Sequence, residues 1–122
     1  MAKKLGLTLG GGGAWSLGAL GVLKELEENN IKVDFIAGCS AGAIVGAAYT
    51  SQFAGQNTIP KAIELLRKIR VKNKRASRHQ SFGWYSPEII GELFEEIIGK
   101  FNFEDLKIPL KVVATDYRTG QE

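Results

Sequence analysis

Two short stretches contain the residue types that could do chemistry. The first is Gly38-Cys39-Ser40-Ala41-Gly42, which fits the pattern G-x-S-x-G. In that pattern the serine sits on a sharp turn between a strand and a helix, with its backbone strained and its hydroxyl exposed. The flanking glycines allow the turn, and the following helix directs its first N–H groups toward negative charge that develops there. Ser40 is the candidate nucleophile. The second stretch is Gly10-Gly11-Gly12-Gly13. Consecutive glycines let several backbone N–H groups converge on one point with no side chain in the way, as an oxyanion hole requires.

Other uses of these stretches fit less well. G-x-S-x-G also occurs by chance in flexible loops, so its context has to carry the argument. A dinucleotide loop needs G-x-G-x-x-G, but Ser16 stands where the third glycine would be. A phosphate-binding P-loop needs Gly-Lys-Ser/Thr, which is absent. No cofactor and no metal are expected.

Both stretches lie between a strand and a helix. Leu5–Leu9 alternates and reads as a strand. Ala19, Val22, Leu23 and Leu26 give the i, i+3, i+4, i+7 face of a helix, which Asn29-Asn30 ends. Val33–Ala37 reads as a buried strand and Ala41–Phe53 as an alanine-rich helix packed closely on a sheet. This strand, helix, strand order is a βαβ unit, with parallel strands and a right-handed crossover. The glycine run and Ser40 then share the C-terminal edge of the sheet, where α/β folds place their sites.

Further along, Thr58-Ile59-Pro60 starts a helix with the apolar face Ala62, Leu65, Leu66 and Ile69. Ser86-Pro87-Glu88 starts another, with Ile90, Leu93, Phe94 and Ile97 facing inward, Ile89 and Ile98 widening that face, and Gly99 ending it. Phe103–Leu106 reads as one short turn and Leu110–Thr115 as a third strand, interior in character. The fold class is α/β with a mainly parallel sheet of about three strands and four helices. That is a small core for this class, and the chain is expected to form the N-terminal part (residues 1–122) of a larger domain.

The chain has 122 residues and a net charge of +3, but the charge is unevenly placed. Arg67, Lys68, Arg70, Lys72, Lys74, Arg75 and Arg78 fall in one acid-free run, and the remainder carries nine basic and thirteen acidic residues, a net of −4. The basic character is therefore local, and no nucleic-acid partner is expected. The run reads first as a solvated helix face and loop. The functional alternative is peripheral contact with anionic membrane, with Phe82, Trp84 and Tyr85 beside it. Phe35–Pro60 carries no charge, but glycines and polar residues interrupt it and exclude a membrane span. The lone Cys39 rules out an internal disulfide and fits a reducing compartment, so a cytoplasmic, membrane-peripheral location is expected.

Leu7–Ala14, Gly21–Leu26 and Gly38–Ala47, with Ala114-Thr115-Asp116 and Thr119-Gly120 near the end, together resemble the patatin-like phospholipase family. The resemblance implies a three-layer α/β fold and a lipid acyl hydrolase with a Ser-Asp dyad. It makes Ser40 the nucleophile, Gly11, Gly12 and Gly13 the oxyanion loop, Gly38, Cys39, Ala41 and Gly42 the nucleophile elbow, and a lipid or fatty-acyl ester the substrate. The sequence departs from the family pattern in two places. Trp15 and Ser16 stand where the family has a basic residue and a glycine. The Asp-Gly motif that carries the family's aspartate is absent, and neither Asp105 nor Asp116 matches it. The one histidine, His79, lies in the basic run and is not a suitable base. An inactive lipid- or partner-binding module and an acyltransferase are the alternative readings.

Overall fold

A computed structural model of the chain describes residues 3–51, 60–61, 63–65, 67–68 and 87–122. Three parallel strands form one sheet in the order β1 (Gly6–Leu9), β2 (Phe35–Cys39), β3 (Leu110–Val113). Gly6 pairs with Phe35 and Leu9 with Gly38, while Ile36 pairs with Leu110 and Cys39 with Val113. The second strand therefore starts and ends two residues later than the apolar run Val33–Ala37 suggests. Neighbours on both sides extend the ladder through Gly38 and Cys39, and hydrophobicity alone could not reveal this. Asp34 instead brackets the start of the sheet: its N–H donates to Leu5 O, and its carboxylate accepts the Leu5 N–H, both at 2.8 Å.

Helix α1 (Gly18–Glu28) connects β1 to β2. A 3-10 turn, Gly13–Leu17, precedes it and was not legible in the sequence. Leu20 and Leu23 are its buried side chains, with Ala19 and Leu26 half-buried, whereas Val22 is 50% exposed. Helical spacing allows a face through Val22 as well as one through Leu20, and the core packs the latter. The helix ends as expected, with Asn30 at φ 54° and the Ile31 N–H donating to Leu26 O at 2.8 Å.

Helix α2 (Ala41–Thr50) lies directly on the sheet and is mostly buried. A Cβ on Gly46 would stand 3.0 Å from Leu110 Cδ1 and 3.3 Å from Ile36 Cγ2, so small residues bring this helix close to the strands. It stops at Thr50, short of Phe53; Ser51 turns extended, with its hydroxyl donating to Ala48 O at 2.9 Å. Helix α3 (Pro87–Ile98) adds Leu93 and Ile98 to a core shared with Leu9, Leu23, Ile36 and Val45. Gly99 ends it at φ 92°, and a 3-10 turn at Phe103–Asp105, capped by Asn102, leads into β3. The third strand has four residues instead of the six expected, and Val112 and Val113 are 43% and 51% exposed. Among the described residues β3 is the last strand of the sheet, paired only with β2.

The described residues between 60 and 68 are helical, and Leu65 is fully buried. Lys68 donates to Glu64 and, at 2.9 Å, to Glu96 on α3, so this member of the basic run holds two helices together. Arg70, Lys72, Lys74, Arg75, Arg78 and His79 lie outside the described residues, as do Phe82, Trp84 and Tyr85. No helix among the described residues is long and apolar enough to cross a membrane.

Tyr49 on α2 is 5% exposed. Burial first, then the Glu27 carboxylate of α1 that accepts from its hydroxyl, push its pKa up to about 12. An unfolded tyrosine ionises near 10, so the folded state holds this proton more tightly. Its contribution to stability is complete below pH ~10 and is lost as pH rises toward the folded value. Thermal unfolding of Tyr49→Phe against the parent chain checks this. The parent should be the more stable at pH 9, and the gap should close by pH 12. A gap independent of pH would contradict the Glu27 contact.

Candidate active site

The C-terminal ends of β1 and β2 bring the two chemical stretches together. Ser40 follows β2 directly and is the N-cap of α2, with φ 52° and ψ −129°. A residue with a Cβ is strained in that conformation, by about 1–3 kcal/mol. An ordinary N-cap serine keeps extended backbone and uses its hydroxyl to cap a helix amide. Ser40 does neither: its side chain makes no cap bond, while its carbonyl accepts the Ala43 N–H at 2.9 Å. The residue is exposed, and among the described residues its hydroxyl has no hydrogen-bond partner.

The glycines around Ser40 are required by contact. At Gly38 a Cβ would lie 2.6 Å from Ala43 Cα and 2.9 Å from Ala43 N. At Gly42 it would overlap Leu9 O and lie 2.6 Å from Gly10 O. The first turn of α2 is thus pressed against the end of β1, where the glycine loop begins. Cys39, the last residue of β2, has an exposed thiol, and Ala41 is buried.

The loop itself reaches Ser40. A Cβ on Gly11 would be 3.0 Å from Ser40 Cβ and 3.7 Å from Ser40 Oγ. Gly12 and Gly13 have φ 148° and 56°, which residues with side chains rarely adopt. Among the described residues, the N–H groups of Gly11 and Gly12 make no hydrogen bond. Donors left free next to an exposed hydroxyl can bind an anionic oxygen formed on an acyl group attached there.

Ser16 is the residue that sequence reasoning undervalued. It is buried, and its hydroxyl donates to Gly10 O at 3.2 Å, tying the 3-10 turn back to the glycine loop. The only sequence signal was a small polar residue three positions past the glycines. Trp15, its neighbour, is 90% exposed.

The aspartates are occupied elsewhere. Asp34 bonds Leu5 at the opposite end of the sheet. Asp105 accepts from the Asn102 N–H and Nδ2 at 3.0 and 3.1 Å. Asp116 folds the turn after β3, accepting the Arg118 N–H at 2.7 Å and the Thr119 N–H at 3.3 Å. A groove of about 890 Å³ runs between α2, α3 and β3, lined by Ala47, Ile90, Phe94, Phe101, Leu110 and Val112. Its lining includes neither Ser40 nor the glycine loop.

A parallel α/β sheet with a strained serine facing a glycine loop across two adjacent strands defines the class of this protein. The match to the patatin-like phospholipase family model covers residues 7–122, and the chain belongs to that family. It is similar to the neuropathy target esterase sws of Drosophila persimilis, at 32% identity over 116 residues, and to that of Drosophila melanogaster, at 31%. The alignments cover 93% of this chain but 8% of the length of those relatives. Family membership supports lipid hydrolase chemistry at the level of the family.

Proposed function

We propose that the chain carries the nucleophile and the oxyanion hole of a serine hydrolase that cleaves lipid acyl esters. The observation that carries this reading is the left-handed backbone of Ser40, which leaves its hydroxyl exposed, uncapped and against Gly11. The esterase name of the relatives supports an ester as the substrate class. Ser40 Oγ attacks the ester carbonyl carbon and loses its proton to a base. The carbonyl oxygen becomes an oxyanion, held by N–H groups of Gly11, Gly12 and Gly13 and favoured by the N-terminus of α2. Collapse of the tetrahedral centre breaks the ester C–O bond, and the alcohol leaves with the proton. Water then attacks the acyl-serine, releasing the fatty acid and restoring the hydroxyl. Because Asp34, Asp105 and Asp116 are engaged in backbone contacts, the base in this scheme is an aspartate supplied from outside these residues.

Those same engaged aspartates favour a second reading, an inactive lipid- or partner-binding piece of the fold. Intact mass after exposure to a fluorophosphonate separates the two. One adduct, lost in Ser40→Ala, is expected for an assembled and activated site. A folded chain that takes no adduct would favour the binding module.

A further inference from the structure

We propose that Trp15 anchors the serine-bearing edge of the sheet to an uncharged lipid–water interface, such as that of phosphatidylcholine. The inference deepens the hydrolase reading and rests on it for the position of the lipid: an ester that reacts at Ser40 has to arrive at this edge.

Trp15 is among the most exposed large apolar side chains described, at 90%, and its position is built rather than loose. Its backbone N–H donates to Gly12 O at 3.1 Å, and the buried Ser16 hydroxyl beside it donates to Gly10 O. The 3-10 turn bearing the indole packs on α1 and α2. The loop that begins beside Ser40 at Gly11 therefore ends in a tied backbone that carries the indole into solvent. Leu17, on the same 3-10 turn, is 37% exposed. Tyr117, 99% exposed, lies in the turn that follows the C-terminal end of β3, between Asp116 and Arg118, whose charges offset. Indole and phenol rings suit the boundary between water and acyl chains, because each has an apolar body and a polar tip.

Charge decides which lipid surface fits. No residue from Leu5 to Leu23 is charged, and none from Phe35 to Pro60. Both loops that build the site lie inside these neutral stretches. An anionic surface would gain nothing from them electrostatically, whereas a zwitterionic one is not penalised and receives the indole. The basic run begins at Arg67, well away in sequence from both loops.

Trp84→Phe leaves Trp15 as the sole tryptophan and makes its emission the readout. With phosphatidylcholine vesicles, emission should shift to the blue and be quenched by brominated acyl chains. Trp15→Ala should reduce co-sedimentation with the same vesicles by about tenfold or more, from the apolar area withdrawn. The rate of Ser40 labelling by a small fluorophosphonate in the absence of vesicles should stay unchanged. Fluorophosphonate labelling of the parent chain separates the two claims: insertion by a chain whose Ser40 takes no adduct would sink the hydrolase reading and leave the anchor standing. Unshifted Trp15 emission would overturn the anchor. So would binding that requires anionic lipid and survives Trp15→Ala, an outcome that would move the contact to Arg67–Arg78.

Discussion

Replacing Gly42 by alanine is expected to unfold the turn that presents Ser40 and to destabilise the whole chain by at least about 3 kcal/mol. The new Cβ would overlap Leu9 O and lie 2.6 Å from Gly10 O. These are backbone atoms, and β1 cannot retreat from them because Leu9 is paired with Gly38 in the ladder. Helix α2 cannot withdraw either, since Val45 and Ala48 are buried in the core on the same helix. Against a typical total of about 5–15 kcal/mol, such a loss empties much of the native population. Urea unfolding followed by circular dichroism measures it, with Gly21→Ala as the comparison. A Cβ at Gly21 on α1 meets nothing within 4 Å, so that change should be neutral or should stabilise the helix by up to ~1 kcal/mol. If Gly42→Ala cost no more than Gly21→Ala, the close approach of α2 to β1 would be wrong.

Gly11→Ala is expected to separate chemistry from stability. Its Cβ would enter the space 3.7 Å from Ser40 Oγ and 3.0 Å from Ser40 Cβ, where the ester oxygen of a bound acyl group has to lie. Ser40 Cβ would have to give by a few tenths of an ångström, but Gly11 does not have a positive φ and meets no backbone atom closer than Cys39 O at 3.6 Å, so folding should change by no more than about 1–2 kcal/mol. Alanine keeps the backbone N–H, but its Cβ would displace the reacting oxygen from it, so the rate of fluorophosphonate labelling at Ser40 should fall by about 10²-fold, the scale of a 1 Å misplacement. Gly21→Ala should label at the parent rate. Parent-like labelling of Gly11→Ala would show that this loop does not face the reacting carbonyl, and the oxyanion assignment would have to be abandoned.

Local chemistry explains why so much was readable in advance. The glycine run and G-x-S-x-G each impose a backbone shape that few other residue types permit, so the βαβ unit and the meeting of its two loops follow from short segments. Helix ends follow in the same way, because Pro87, Glu88, Asn29 and Gly99 act within one turn of where they stand. Strand limits were less legible, because a ladder ends where its partner ends. Cys39 belongs to β2 only because Val113 pairs with it, and β3 stops at Val113 although Ala114 and Thr115 would suit a strand. The exposed face of α1 is a similar case, since Val22 and Leu20 satisfy the helical period equally and the core takes in only Leu20.

By itself, then, the sequence determined the α/β class, the family and the two loops that carry the candidate chemistry, because each depends on residues adjacent in the chain. Only the tertiary structure decided that Gly11 abuts Ser40, that Ser16 braces the loop, that Trp15 projects into water and that all three aspartates are committed elsewhere. These facts depend on contacts between segments far apart in sequence, and such contacts exist only once the sheet has placed its strand ends side by side.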